Sequence, residues 1–269
     1  MHPVGVFDSG IGGLSVLSEI ARLLPDDDLV YIADTAHVPY GMKPPDAIRE
    51  RALAITRFLV EHLQSRAVVV ACNTATTHAV DLLRRSFPGT PIVGMEPAIK
   101  PAAAASRSGV VGVLATGATL RGERFASLIA RYTDDVELLT QPCPGLVEQV
   151  ESGDLDGAET VALLREYTEP MLARGADTIV LGCTHYPFLR DTLQHLVGPS
   201  VTLIDTGAAV ARQTARVLGG HPIAKDEDAV STPGSRRVTF YTTGDPTRVR
   251  PVVERLWGHG AVIIRRLDV

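Results

Sequence analysis

Two cysteines in the chain stand where a strand is predicted to end and polar residues follow. Cys72 precedes an Asn-Thr pair and Cys183 precedes a Thr-His pair. A thiol at a strand-to-helix turn faces free backbone N–H groups and the positive end of a helix dipole, which predicts a pKa lowered toward neutrality. One such cysteine is usually a buried packing residue, but two at matched positions favour a reactive pair.

Two thiols of this kind suit proton transfer on the two faces of one carbon. Inverting a stereocentre in both directions requires a base on one side and an acid on the other, and the two exchange roles after each reaction. A metal site would need more ligands at short spacing than Cys183 and His185 supply. The third cysteine, Cys143, lies in a PCPG loop and is predicted to be structural.

Two further residues are candidates for assisting the thiols. Asp8 ends the first predicted strand and would act beside Cys72, or would only cap the following helix. His185 would hydrogen-bond to Cys183 or shuttle its proton, or would be a satisfied, half-buried histidine. The DSGIGG segment that begins at Asp8 does not fit G-x-G-x-x-G, because position 15 is Ser15, so a dinucleotide loop is poorly supported.

The polar residues around these groups describe an amino-acid pocket. Hydroxyls and an amide close to backbone N–H groups suit carboxylates, and the clusters contain no Arg or Lys that would clamp a phosphate. Tyr40 and Gly41 would wall the site, or would form an ordinary turn after Pro39. The hydroxyl and amide groups belong to Ser9, Asn73, Thr74, Thr116, Thr119 and Thr184.

The elements that position these residues alternate between short β-branched runs and longer segments of helical period. This alternation predicts an α/β fold with mostly parallel sheets. The predicted strands are Val4–Phe7, Leu29–Ala33, Ala67–Ala71, Ile92–Met95, Val110–Ala115, Thr178–Leu181, Thr202–Asp205, Val238–Thr242 and Ala261–Ile264. The predicted helices are Leu14–Leu24, Ala47–Leu63, Ala98–Ala105, Asp156–Ala173, Phe188–Val197 and Ala209–Leu218.

Every polar cluster follows one of these strands, and ligands of open α/β sheets bind outside the carboxyl ends of the strands. The sequence therefore predicts one cleft between two lobes. An internal repeat supports two related halves, since VGVFDSG recurs as VGVLATG 107 residues later and VVVACNT recurs as IVLGCTH 111 residues later. We expect a first lobe of residues 1–96 plus 207–269 and a second lobe of residues 97–206, with a surface loop at Lys225–Arg237.

Composition excludes several classes of protein. The chain has 269 residues, a net charge of −5 and three cysteines. The net negative charge does not provide the basic surface that nucleic-acid binding requires. The longest apolar runs are about half as long as the ~20 residues of a membrane-spanning helix. The odd cysteine count and a start without a visible secretory signal predict a reducing, cytoplasmic compartment.

Four motifs together resemble those of the bacterial glutamate racemases. They are FDSGIGG (7–13), ADTAHVPYG (33–41), ACNTAT (71–76) and GCTHYP (182–187), in the same order over almost the whole chain. Aspartate racemases look similar but commonly carry Glu where this chain has His185, so the residue favours glutamate. The resemblance implies two flavodoxin-like, pseudo-symmetric lobes with the active site between them, and usually a homodimer.

The resemblance also implies cofactor-independent, metal-free interconversion of L- and D-glutamate, which supplies D-glutamate for peptidoglycan. Cys72 would take the α-proton of D-glutamate and Cys183 that of L-glutamate, with Asp8 and His185 assisting and contacting substrate. The polar residues named above would contact substrate as well. CPGLVEQVE (143–151) resembles the family segment whose final Glu supports the histidine, which makes Glu151 a candidate and Glu148 a near competitor.

Two other functions compete with racemisation. Cys72, His185 and Asp8 would form a nucleophilic triad for acyl transfer, which leaves Cys183 without a role and predicts activity in Cys183→Ser. A two-lobed amino-acid binding protein is the other alternative, although a pure binder needs no thiols.

Overall fold

Ten strands form two parallel sheets in the computed structural model, which describes residues 2–132, 136–219 and 237–269. The strands are β1 (Val4–Asp8), β2 (Leu29–Ala33), β3 (Ala67–Val70), β4 (Ile92–Val93), β5 (Val110–Ala115), β6 (Glu137–Pro142), β7 (Thr178–Leu181), β8 (Thr202–Ile204), β9 (Val238–Thr242) and β10 (Ile264–Arg266). The helices are α1 (Leu14–Leu23), α2 (Pro45–Arg57), α3 (Asn73–Ser86), α4 (Ile99–Ala105), α5 (Gly117–Leu120), α6 (Glu123–Tyr132), α7 (Leu146–Ser152), α8 (Ala158–Ala173), α9 (Arg190–Val197), α10 (Gly207–Val217) and α11 (Pro246–Trp257).

The two sheets repeat one arrangement. The first has the order β10-β9-β2-β1-β3-β4 and the second β6-β5-β7-β8, so the order 2-1-3-4 occurs in both and is flavodoxin-like. The register repeats as well, since Val4 pairs with Ala67 in the first sheet and Val111 pairs with Thr178 in the second. These pairs keep the 107- and 111-residue offsets of the sequence repeat. The predicted α/β class with parallel sheets is confirmed.

The central strands of each sheet are buried on both faces, as strands of parallel sheets usually are. Alternate residues of β1 enter two different apolar clusters, with Val4 and Val6 on one face and Phe7 on the other. In the second sheet Leu114 and Val113 likewise enter separate clusters. Full burial of each such side chain is worth about 1.5–3 kcal/mol, so the central strands are held rigidly and their carboxyl ends make fixed platforms.

The structure differs from the sequence prediction at several elements. Strand β6 and helices α5, α6, α7 and α11 were not predicted as elements, and α3 was predicted only as an unbounded helix after Cys72. The last strand begins at Ile264 rather than ending there. The predicted helix Ala47–Leu63 is α2 followed by one π-helical turn, Phe58–His62. Strands β9 and β10 extend the first sheet beside β2. The lobe boundaries stay a prediction, and all but the last residue of the predicted loop Lys225–Arg237 lies outside the described residues.

Candidate active site

The polar residues predicted at the strand ends meet at a small cavity between the two sheets. Its volume is about 10 Å³, roughly the space that one water molecule needs and far below the ~300–1,000 Å³ of open small-molecule sites. Both sheets contribute, because Cys72 follows β3 in the first and Cys183 follows β7 in the second. The lining residues are Ser9, Pro39, Tyr40, Gly41, Cys72, Asn73, Thr74, Thr116, Val147, Gly182, Cys183, Thr184 and His185.

Cys72 sits at the N-terminus of α3 with its side chain bound to the helix. Its Sγ accepts a hydrogen bond from the Ala75 N–H at 3.4 Å and lies 3.8 Å from Ser9 Oγ. The predicted lowering of its pKa is wrong. Burial raises the pKa of the Cys72 thiol well above its usual range, and the neighbouring Asp8 carboxylate raises it further. The hydrogen bond from the helix N-terminus acts in the lowering direction but does not outweigh these effects.

Asp8 is fully buried at the end of β1, beside the loop that precedes α1. Its carboxylate accepts hydrogen bonds from the backbone N–H groups of Ser9 and Gly13, both at 2.6 Å, so it fixes the loop that enters α1. Thr184 of the second sheet donates its hydroxyl to the same carboxylate at 3.2 Å. Burial raises the pKa of Asp8, although the positive charge of His185 opposes this shift.

His185 joins Cys183 to a carboxylate. Its Nδ1 lies 3.6 Å from Cys183 Sγ and its Nε2 lies 2.6 Å from Glu151 Oε1, with the side chain 2% exposed. Burial disfavours the imidazolium, but hydrogen bonds to Cys183 and Glu151 raise the pKa of His185 well above its usual range. An acyl-transfer triad would require the His185 imidazole to contact Cys72. The imidazole contacts Cys183 instead.

Three threonine hydroxyls form one cluster beside the cavity. Thr74 Oγ1 lies 2.9 Å from Thr116 Oγ1 and 3.3 Å from Thr119 Oγ1, so residues of both sheets share one hydroxyl cluster. Gly41 packs against Thr116, and a Cβ at position 41 would come within 2.9 Å of it. The structure places Asp8, Thr119 and Glu151 one layer behind the residues that line the cavity.

Asn73 has an unusual environment. Its side chain is 3% exposed, and within the described part of the chain neither its Oδ1 nor its Nδ2 has a hydrogen-bond partner. A buried amide without partners costs about 1–3 kcal/mol, and such groups in native proteins require an explanation. Because Asn73 lines the cavity, a bound ligand that accepts and donates hydrogen bonds would satisfy its amide.

Sequence reasoning missed a buried polar hub behind Tyr40. The Tyr40 hydroxyl donates to Asp34 at 2.6 Å, and Arg51 binds both oxygens of Asp34 at 2.9 and 3.0 Å. Thr243, which follows β9, donates to the same carboxylate at 2.7 Å. The ring of Tyr40 thus lines the cavity while its hydroxyl is committed elsewhere. The signal was the position of Asp34 directly after β2, one register position beyond Asp8, which ends β1 and pairs with Ala33.

Pro39, Val147 and Gly182 also line the cavity and were not predicted. Gly182 lets the turn after β7 approach β5 closely, since a Cβ there would come within 2.9 Å of the Leu114 carbonyl. Cys143 is buried in the apolar cluster beside Cys183 and is absent from the cavity lining. Its Sγ lies 3.3 Å from the Gln141 carbonyl, a packing environment.

The titratable groups form two clusters, with Asp8 beside Cys72 and with Glu151 beside His185 and Cys183. In residues 2–132, 136–219 and 237–269, no group of three or more His, Cys, Asp or Glu side chains has metal-ligand geometry. The same ranges contain no helix with the length and apolarity needed to span a bilayer. One thiol beside a carboxylate and a second beside an imidazole can each give or accept a proton at a shared ligand.

The chain resembles known proteins over nearly its whole length. The sequence profile of the Asp/Glu/hydantoin racemase family matches residues 4–214. The glutamate racemase of Stutzerimonas stutzeri (strain A1501) is 54% identical over 261 residues, which are 97% of this chain and 96% of that protein.

Two solved structures carry the same fold. Escherichia coli glutamate racemase, in complex with L-glutamate and the activator UDP-MurNAc-Ala, has a TM-score of 0.85 and 34% identity, with 100% of this chain and 99% of that one covered. Francisella tularensis glutamate racemase, in complex with D-glutamate, has a TM-score of 0.81 and 27% identity, with 100% and 97% covered.

Proposed function

The chain belongs to the Asp/Glu/hydantoin racemase family, and we propose that it interconverts L- and D-glutamate by moving the α-proton between Cys72 and Cys183. The motif resemblance to this family is confirmed. One observation carries the mechanism: two free thiols from two different sheets line one cavity, each beside its own proton-accepting group. Neither a binding protein nor an acyl-transfer triad accounts for both thiols.

Substrate binding follows from the polar lining. The unpartnered Asn73 amide and the hydroxyls of Ser9, Thr74 and Thr184 suit the carboxylate and ammonium groups of an amino acid. Thr116 lines the cavity, and Thr119 orients it through a 3.0 Å hydrogen bond. Glutamate is the proposed substrate because the relatives are glutamate racemases and His185 stands where aspartate racemases commonly carry Glu.

The two thiols start from different protonation states in this mechanism. The Cys72 thiol keeps its proton because burial and Asp8 raise its pKa. The His185 imidazole lies beside Cys183, and although burial opposes it, hydrogen bonds to Cys183 and Glu151 raise the pKa of His185, so the ring can hold a proton there. In the direction that consumes L-glutamate, the mechanism assigns Cys183 as the base and Cys72 as the acid.

One turnover then moves a single proton equivalent across the substrate. Cys183 takes the α-proton of L-glutamate, the electron pair of the broken C–H bond is left on Cα, and it delocalises into the α-carboxylate. Hydrogen bonds from the cavity stabilise that developing charge. Cys72 then delivers its own proton to the opposite face, which gives D-glutamate. The enzyme is left with a Cys72 thiolate and a Cys183 thiol, the form that acts on D-glutamate.

The wider setting is part of the same proposal. D-Glutamate made by this reaction would supply peptidoglycan synthesis, and the reaction needs no cofactor. Three free, buried cysteines support a reducing, cytoplasmic compartment. We also propose a homodimer, as the family resemblance implies, and sedimentation analysis that finds only a monomer would reject that part.

Incubation with D-glutamate in D₂O tests the function directly. The protein is first dialysed against a chelator, and no cofactor is added. We expect L-glutamate to form and to carry deuterium at Cα, and we expect D-aspartate in a parallel reaction to be turned over far more slowly. Absence of both L-glutamate and deuterium incorporation would reject the proposal.

A further inference from the structure

The loop between β1 and α1 belongs to the first sheet, yet it contacts the groups that serve the thiol of the second. The backbone N–H of Ile11 donates to Glu151 Oε1 at 2.8 Å. The same oxygen accepts His185 Nε2 at 2.6 Å. Glu151 Oε1 thus accepts hydrogen bonds from the His185 imidazole of its own lobe and from the Ile11 backbone N–H of the other lobe.

Two glycines of this loop are required by that close approach. A Cβ built at Gly10 would fall on the Glu151 carboxylate, well inside van der Waals contact, and one built at Gly12 would fall on the His185 ring. Neither glycine has a positive φ, so backbone conformation does not demand them. The neighbouring side chains of the second lobe occupy the space that a Cβ would need.

The loop is held firmly on its own side. The Tyr31 hydroxyl donates to the Gly10 carbonyl at 2.7 Å, and Asp8 accepts the Gly13 N–H. Ser15 Oγ lies 2.9 Å from the carbonyl oxygens of both Gly12 and Thr184, which ties the start of α1 to the second lobe. The loop is therefore a fixed surface against which Glu151 and His185 are pressed.

We propose that Gly10, Ile11 and Gly12 are positioning residues for proton transfer at Cys183, acting across the cleft through Glu151 and His185. This inference rests on the proposed racemase function. The Ile11 N–H fixes the carboxylate that orients the imidazole, and the glycines allow that carboxylate and that ring to reach the loop. The Cys183 side of the site is complete only when the two lobes are closed on each other, whereas Cys72 and Asp8 both belong to the first lobe.

Gly10→Ala tests this assignment, with Gly89→Ala as the matched control because nothing lies within 4 Å of a Cβ built at Gly89. Gly10→Ala is expected to lower kcat/KM about 10- to 100-fold, since misplacing a catalytic group by about 1 Å has an effect of that size. Gly89→Ala is expected to leave kcat/KM unchanged. The fall is equal in both directions, because the equilibrium constant of a racemisation is fixed by symmetry.

Isotope effects show which thiol is impaired. Slower transfer at Cys183 makes that step more rate-limiting, so the deuterium effect on kcat/KM rises for α-deuterated L-glutamate and falls toward one for α-deuterated D-glutamate. A general structural defect moves the two effects together or not at all. Unchanged isotope effects alongside reduced activity would overturn the proposal.

A double-mutant cycle keeps the test decisive even if Gly10→Ala alone fails to fold. Glu151→Ala removes the carboxylate that the new methyl would strike, and the next nearest neighbour is the side chain of Val38, 3.0 Å from that Cβ. The double variant is therefore expected to match Glu151→Ala in stability and kcat/KM, and a further loss would overturn the proposal. Wild type measured in parallel separates the two claims. An inactive wild type would reject the racemase function and, with it, this inference. An active wild type together with a fully active Gly10→Ala variant would reject this inference alone.

Discussion

Replacing Asp34 by asparagine is expected to destabilise the protein by about 3 kcal/mol. Asp34 is fully buried and accepts hydrogen bonds from Arg51, Tyr40 and Thr243. Removing one partner of a buried ion pair costs about 3–5 kcal/mol, because the other charge stays buried and unpaired. Arg51 is 14% exposed and keeps a hydrogen bond to the Val269 carbonyl, which places the expected cost at the lower end.

Urea unfolding of wild type and Asp34→Asn at neutral pH measures this difference. Asp46→Asn is the matched control, since Asp46 also pairs with an arginine but is 93% exposed, and its loss should stay within about 0.5 kcal/mol. Although burial opposes it, hydrogen bonding by Arg51, Tyr40 and Thr243 lowers the pKa of Asp34 below 3.8. Its stabilisation is therefore present above pH 3.8 and is lost as the pH falls through the lower native pKa.

The same variant has a functional consequence. Tyr40 lines the cavity and is anchored through its hydroxyl, so Asp34→Asn should raise KM more than it lowers kcat. A destabilisation below about 1 kcal/mol, or one that does not shrink on acidification, would refute the reasoning about this hub.

Three further changes have expected outcomes. Asn73→Ala should raise KM about 10- to 100-fold, which is the effect of losing one hydrogen bond to a charged group. The urea midpoint should not fall, because the amide has no hydrogen-bond partner to lose within the described residues. His185→Gln should lower the free energy of unfolding most below pH 6.5, and this loss should shrink as the pH rises through the native pKa of His185. The reason is that, despite burial, hydrogen bonding to Cys183 and Glu151 raises that pKa. A difference that does not change with pH would contradict this. Cys143→Ser should keep full kcat and lose about 1 kcal/mol of stability in urea, and lost turnover would mean that this thiol takes part in the reaction.

The strands that the sequence predicted best are those buried on both faces, whose apolar runs are continuous. β6 was missed because it is an edge strand, Glu137–Pro142, in which no residue is buried and no continuous apolar run marks it. The internal repeat contained the missing signal. β1 pairs with β2 through Val4 and Leu29, and the counterpart of β1, β5, pairs with β6 through Val111 and Leu138. β6 is therefore the counterpart of β2 in the second sheet.

The residue types of the site were predictable because a parallel sheet brings strand ends to one edge. The electrostatics of the site were not predictable, since they depend on burial. The dipole argument for Cys72 considered the helix but not the desolvation of the thiol or the charge of Asp8. The Asp34 hub was missed because Arg51 and Thr243 reach it from 17 and 209 residues away along the chain.

The two-thiol account is tested most directly by replacing each cysteine with serine and following both enantiomers of glutamate in D₂O. Cys72→Ser and Cys183→Ser should each abolish racemisation in both directions, while urea midpoints stay near that of wild type. Sustained turnover by Cys183→Ser, with a covalent acyl intermediate on Cys72, would contradict the account and favour nucleophilic catalysis by a single thiol.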